Sequence, residues 1–121
     1  MTKRILVVED QEDNRQILRD LLGSAGYKII EAENGEEALA AVAKQRPDLI
    51  LMDIQLPVMD GYEATRRLKA DPALKTIPII VVTSDALSGD EGKARAAGCD
   101  AYVTKPYSPR QLLAKVKEFL S

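Results

Sequence analysis

The chain predicts an α/β fold, a doubly wound five-stranded parallel sheet covered on both faces by five helices, and three observations carry that reading. Short apolar runs alternate with longer stretches whose apolar residues recur at helical spacing. The runs Ile5-Leu6-Val7-Val8, Leu49-Ile50-Leu51-Met52 and Pro78-Ile79-Ile80-Val81-Val82 are continuously apolar, so these strands are buried on both faces, as in a parallel sheet. The runs then end in residues that carry chemistry, Glu9, Asp53, Thr83 and Lys105 among them. That places them at the carboxyl edge of the sheet, where open α/β sheets bind ligands.

Each element has its own justification. The first strand, residues 5–8, runs into Glu9-Asp10-Gln11-Glu12-Asp13 and then a helix on which Ile17, Leu18, Leu21, Leu22 and Ala25 form the apolar side, with Gly26 placed to end it in a left-handed cap. Residues 28–32 are the second strand. Asn34 with Glu37 three residues on reads as a capping box, opening a helix with Ala38, Leu39, Val42 and Ala43 on its apolar side, and Pro47 marks its end. The central stretch, residues 48–57, sets four apolar residues ahead of Asp53 and a proline soon after, a buried strand that stops where its last side chain reaches solvent. Asp60-Gly61 is a turn signal, which leaves Asp60, with Arg66 and Arg67, as solvated surface. The third helix carries Ala64, Leu68 and Lys69 and ends before Asp71-Pro72.

The fourth strand ends at Thr83, and the segment after it is the weakest helix. Gly89 and Gly92, within residues 88–93, each cost about 1 kcal/mol relative to alanine, which predicts a mobile element. Gly98 closes it, residues 101–104 form the fifth strand, and Lys105-Pro106 ends that strand. The last helix has Ser108 as N-cap, Pro109 in its first position and Gln111 three residues after the cap. Its buried stripe is Leu112, Leu113, Val116, Phe119 and Leu120. One domain over residues 1–121 is expected, without linker, repeat or output domain.

Composition narrows the function. The 121 residues suffice for one core, and 45% hydrophobic with 30% charged residues is ordinary for a soluble globular chain. No apolar run approaches a membrane span and the amino terminus lacks a signal-peptide pattern, so a cytoplasmic protein without membrane insertion is expected. The single cysteine, Cys99, permits no internal disulfide and fits a small buried apolar residue. A net charge of −2 gives no basic footprint for nucleic acid. The absence of histidine excludes a histidine-based triad and a phosphohistidine on this chain, and with one cysteine it excludes an ordinary structural zinc site. Any metal must be a hard, oxygen-bound one.

Periodicity leaves strand order open, and sheets of this class commonly run 2-1-3-4-5. In that order Glu9 and Asp10 face Asp53 across one crevice, with Thr83 and Lys105 arriving from the fourth and fifth strands. Three converging carboxylates repel one another, and a divalent cation removes that cost. Oxygen ligands with room for water suit Mg²⁺, or Mn²⁺ in its place. An ammonium beside a metal and a carboxylate is the counter-charge a phosphoryl group needs, and Thr83 offers a hydroxyl. The set suits attack of a carboxylate on phosphorus, giving an acyl phosphate on Asp53. Taken singly, each residue has a plainer reading: Asp53 an acid that ends a strand, Glu9-Asp10 an acidic helix start, Thr83 a β-former, Lys105 a surface lysine, Tyr102 a half-buried strand aromatic. Their order at successive strand ends sets them apart.

The spacing of Val8-Glu9-Asp10, Met52-Asp53, Pro57, Asp60-Gly61, Val82-Thr83-Ser84 and Tyr102-Val103-Thr104-Lys105-Pro106 closely resembles the receiver domains of two-component response regulators, over the whole chain. The resemblance implies a flavodoxin-like, CheY-like fold. The strand order used above is that family's own, the chemotaxis member being its standard example, and stands as an implication of the resemblance. It further implies that Asp53 is the phosphoacceptor, that Asp10 binds Mg²⁺ directly, that Glu9, where many members carry Asp, binds it through water, and that the backbone carbonyl of Gln55 completes the protein ligands. Lys105 would neutralise the phosphoryl group, held by a cis bond to Pro106. Thr83 would swing toward the phosphate and Tyr102 inward behind it, changing the surface around the fourth helix and fifth strand. Gln55 and Ser84 sit at positions that tune phosphoryl lifetime in the family. Self-catalysed phosphorylation is implied, without turnover of an external substrate.

Two rivals lack their residues. A phosphohydrolase of the haloacid-dehalogenase-like type needs a second Asp two residues after the nucleophile, where this chain has Gln55. A flavodoxin-like cofactor binder offers hydroxyls and N–H groups after its first strand, whereas Glu9, Asp10, Glu12 and Asp13 repel a phosphate that no metal bridges. A receiver-like scaffold that is never phosphorylated stays open. The expectation is a stand-alone phosphorelay receiver, similar to the cell-cycle single-domain type. Its donor would be a histidine kinase or a helical histidine phosphotransfer protein, docking near Asn14, Arg15 and Leu18 and around Pro106 and Tyr107. It would act on a downstream protein target, as a monomer or weak homodimer.

Overall fold

A computed structural model describes residues 2–83 and 90–120. The elements follow in the order β1 (Arg4–Val8), α1 (Glu12–Ser24), β2 (Lys28–Ala32), α2 (Gly35–Lys44), β3 (Leu49–Asp53), α3 (Gly61–Ala70), β4 (Ile79–Thr83), α4 (Asp90–Ala97), β5 (Ala101–Thr104) and α5 (Pro109–Leu120). The strands form one parallel sheet in the order β2-β1-β3-β4-β5, the order the resemblance implied. Ser84, Ser88 and Gly89, and with them the start expected of a mobile fourth helix, lie outside the described residues.

Successive side chains of a strand point to opposite faces, and the apolar runs fill both. Leu6, Val8, Ile50, Met52, Ile79 and Val81 pack toward α2, α3 and α4, meeting Ala38, Val42, Ala64, Leu68 and Ala94. Ile5, Val7, Leu49, Leu51 and Ile80 pack toward α1 and α5, meeting Leu18, Leu22, Leu112 and Val116. On α5, Leu113, Phe119 and Leu120 are only half-buried at the edge of the stripe.

Helix α1 departs from its expected stripe. Ile17 is 58% exposed and Ala25 is exposed, whereas Arg15 is buried together with Leu18 and Leu22. Residues 15, 18 and 22 share one face at spacings of three and four, and Ile17 lies roughly 100° round the helix from Leu18. The face that packs on the sheet thus contains an arginine.

The helix ends bear out the sequence signals. Gly26 has φ +98°, its N–H bonds the Gly23 carbonyl at 3.0 Å, and Tyr27 N–H bonds the Leu22 carbonyl at 3.2 Å, a left-handed cap that consumes the orphan carbonyls. Ser108 and Gln111 exchange reciprocal bonds of 3.0 and 3.2 Å. Asn34 accepts from Glu37 N–H at 2.8 Å, while the Glu37 carboxylate reaches back to Glu33 N–H rather than to Asn34. Asp60 is exposed, as expected, and is in addition the N-cap of α3, its carboxylate accepting from Glu63 N–H at 2.9 Å.

Gly61 fixes where α3 begins. A Cβ at this position would lie 2.1 Å from the Asp53 carbonyl oxygen, and Gly61 N–H bonds the Ile54 carbonyl at 3.0 Å. Only glycine lets the first turn of α3 press against the end of β3. Gly61→Ala therefore costs about 2–3 kcal/mol of stability by overpacking. Gly23→Ala, in α1 with nothing within 4 Å of the added carbon, gains up to about 1 kcal/mol. Urea midpoints at unchanged slope check both, and a silent Gly61→Ala would contradict the close approach.

Candidate functional site

Strand register assembles the site. Val8 pairs with Met52, so the next residue on each strand, Glu9 and Asp53, lie side by side, and Glu9 N–H bonds the Ala32 carbonyl at 3.0 Å. Glu9, Asp53 and Lys105 all line a groove of about 410 Å³ on the α1 and α5 side, with Leu18, Pro106 and Tyr107 as apolar wall. Glu9 is 3% exposed and Asp53 8%, whereas Asp10 stands in solvent. One carboxylate oxygen from each of the three lies within 4.8 Å of the others.

Lys105 is the cation that faces them. Its Nζ lies 3.0 Å from Asp53 Oδ2 and 3.4 Å from Glu9 Oε1, its backbone N–H bonds the Thr83 carbonyl at 2.6 Å, and the Lys105–Pro106 peptide is cis, as the resemblance implied. Two amides complete the frame: Gln55 N–H donates to Asp53 Oδ1 and Gln11 N–H to Glu9 Oε2, each at 3.0 Å. Gln55 itself is exposed.

Burial pushes the Glu9 carboxyl up from 4.5 to about 7, assisted by its hydrogen bond with Asp53 and by that residue's charge, while the Gln11 amide pulls the other way. For Lys105, burial acts downward, but the Asp53 and Glu9 carboxylates outweigh it and hold the ammonium above its ordinary range. One ammonium against three acids leaves a deficit of positive charge. An all-oxygen donor set with one exposed member fits a hard divalent cation that retains water.

The remaining expected residues divide. Thr83 is buried and continues the Val81 face, toward α2–α4, and Tyr102 pairs with Val81 in register and packs on that same face. Thr83 and Tyr102 are thus neighbours on the side of the sheet opposite the groove. On α1, Asn14 and Leu18 line the groove as expected. Arg15 does not belong to an accessible docking surface: it is buried, its Nη1 donating to the Glu9 carbonyl at 2.8 Å. Exposed Ile17, expected in the core, lines the groove instead. The signal that could have found both is the spacing of Arg15 from Leu18 and Leu22. Cys99 is half-buried in the α2–α4 layer, and burial pushes its thiol up, as suits an inert side chain.

Residues 5–117 match the family model of the response regulator receiver domain. The chain belongs to the response regulator receiver family. It is 47% identical to the polar-differentiation response regulator DivK of Brucella anthropi over 120 residues, 99% of this chain and 98% of that protein. Among solved structures, the receiver domain of the sensor histidine kinase PA1611 from Pseudomonas aeruginosa, with a magnesium ion coordinated in its active site cleft, superimposes with a TM-score of 0.92 at 36% identity, covering 99% of this chain and 98% of that one. The phosphorylated cyanobacterial phytochrome response regulator RcpA superimposes with a TM-score of 0.86 at 30% identity, covering 100% and 96%. This receiver is therefore DivK-like, of the two-component class, and receivers bind Mg²⁺ at such an acidic site. Among the described residues no helix is long and apolar enough to cross a membrane.

The raised carboxyl sets a pH signature for the metal-free receiver. A folded-state value above the unfolded one stabilises the fold fully below about pH 4.5, and that contribution is lost as pH rises through about 7. In chelator, Glu9→Gln therefore gains on the wild type by about 1–3 kcal/mol between pH 5 and pH 8. Parallel urea denaturation at the two pH values measures the difference, and a constant gap would refute the assignment to Glu9.

Proposed function

We propose that this receiver is a stand-alone phosphorelay switch that takes a phosphoryl group from a partner's phosphohistidine onto Asp53. The observation that carries the reading is Lys105 Nζ at 3.0 Å from Asp53 Oδ2 inside the 4.8 Å acidic cluster. A buried carboxylate with an ammonium already beside it is a nucleophile whose counter-charge is in place before the phosphoryl group arrives. As an Asp53 oxygen bonds phosphorus, the P–N bond breaks, and the partner's imidazole leaves with the electron pair and takes a proton from solvent. Lys105 then turns from the carboxylate to the phosphoryl oxygens. Gln55 N–H holds the other Asp53 oxygen in place. Asp10 directly, Glu9 through water, Asp53 and the Gln55 carbonyl would hold Mg²⁺, or Mn²⁺, which when bound neutralises and orients the phosphoryl oxygens. The chemistry is the chain's own phosphorylation and dephosphorylation, without catalytic turnover of an external substrate. The magnesium in the Pseudomonas receiver and the phosphorylated state of the cyanobacterial one support this reading.

The switch runs through Thr83 and Tyr102. Their common face, opposite the groove, supports a path in which the Thr83 hydroxyl moves to the phosphoryl group and Tyr102 fills the space behind it, altering the α4–β5 surface. The donor, a histidine kinase or helical histidine phosphotransfer protein, docks on the groove rim at Asn14, Ile17, Leu18, Pro106 and Tyr107, and a downstream protein reads the α4–β5 side. The reading includes action as a monomer or weak homodimer in the cytoplasm.

Intact mass after incubation with acetyl phosphate and Mg²⁺ tests the acceptor. One phosphoryl group is expected on the wild type and none on Asp53→Asn or in chelator, and Lys105→Ala slows its appearance by about 10²-fold. Thr83→Ala accepts the group but loses the change in tyrosine NMR signals that beryllofluoride induces in the wild type. A wild type with neither adduct nor beryllofluoride response would leave only a scaffold.

A further inference from the structure

We infer that Arg15 is a positioning residue of the acidic site, whose buried guanidinium fixes the Glu9–Asp10 peptide and so aims the Asp10 carboxylate at the cation. This rests on the metal reading above. Asp10 lies between the end of β1 and the start of α1, so no regular element sets the direction of its side chain. The peptide joining Glu9 to Asp10 is planar, and the orientation of its carbonyl fixes the bond that leads into Asp10. That carbonyl accepts from Arg15 Nη1 at 2.8 Å in a buried contact, while Glu9 N–H is held by the Ala32 carbonyl at 3.0 Å. Glu9 is thus pinned at both ends of its backbone, once by the sheet and once by Arg15.

The rest of the guanidinium is anchored away from the site. Arg15 Nε bonds Glu31 Oε1 at 3.3 Å, Nη1 lies 3.6 Å from Glu33 Oε1, and Nη2 bonds Glu12. Three glutamates surround one guanidinium, so its charge is matched locally and is not spent on neutralising Asp53. Its effect on the site is therefore one of direction. Arg19 is the natural control: it shares Glu31, at 2.7 and 2.9 Å, and Glu12, at 3.3 Å, but its bonds go to these carboxylates and not to the Glu9 carbonyl. Outer partners that orient a metal ligand typically govern affinity by 10–100-fold, which sets the scale of the expected effect.

The experiment is a calorimetric Mg²⁺ titration of the full chain as wild type, Arg15→Met, Arg15→Lys and Arg19→Met, with urea denaturation in chelator alongside. Arg15→Met weakens Mg²⁺ binding by about 10–100-fold, and Arg19→Met, which loosens the same α1–β2 pairing, leaves it unchanged. At saturating Mg²⁺ the Arg15→Met chain accepts the phosphoryl group from acetyl phosphate at the wild-type rate, because Asp53 and Lys105 are untouched. Arg15→Lys, with one donor head that the glutamates compete for, shows a partial loss and decides the matter if the Met variant does not fold. Wild-type affinity in the variants at position 15, equal losses at 15 and 19, or a rate that saturating Mg²⁺ does not restore would overturn the proposal. A wild type that binds no Mg²⁺ would instead overturn the metal reading beneath it.

Discussion

Two carboxyl groups, Glu9 and Asp53, are buried side by side, and the rest of the structure is the means of keeping them there. Burying one charge without a partner is expensive, and burying two of the same sign beside each other is worse. The backbone register that pairs Val8 with Met52 leaves the next two side chains no choice of neighbour. What makes the arrangement tolerable is local: two backbone amides, the Lys105 ammonium, and a Glu9 carboxyl that gives up its charge readily because of its burial. The site is left short of positive charge. Its all-oxygen donor set fits a hard divalent cation, in line with the magnesium coordinated in the cleft of the Pseudomonas receiver.

Both faces of the sheet contribute, in different ways. The α1 and α5 face carries the groove, the carboxylates and the ammonium. The α2–α4 face carries Thr83 and Tyr102. The end of β4 touches both, since the Thr83 carbonyl also accepts from Lys105 N–H.

Helix α1 shows how a single element can be misread in one register and right in every other respect. Its ends follow from Glu12 and Asp13 at the start and Gly26 at the finish. Its buried face does not follow from hydrophobicity, because an arginine occupies a core position and an isoleucine does not. Arg15 is tolerated there because Glu31 and Glu33, brought up by β2, and Glu12 of its own helix surround it, and the Glu9 carbonyl accepts from its Nη1. Glu31 and Glu33 come from a different part of the chain, so no local pattern announces them. Asp60 is the milder case: a turn signal places it on the surface, where it lies, and its bond to Glu63 N–H makes it the cap that starts α3 as well.

The amino-acid sequence by itself determined the elements and their limits, since runs of β-branched and aliphatic residues, caps at Asn34 and Ser108, and stops at Gly26 and Gly98 act over a few residues. It also determined which side chains stand at the carboxyl edge, because a strand's end is a local event. The tertiary structure alone decided which of these side chains share a face. Thr83 lies opposite Asp53, Ile17 faces the groove, and Arg15 meets Glu31 and Glu33 only because β2 lies beside α1. The physical reason is one of range: propensity and capping are settled within a turn or a strand, whereas the pairing of buried charges depends on groups that meet only when the sheet has formed.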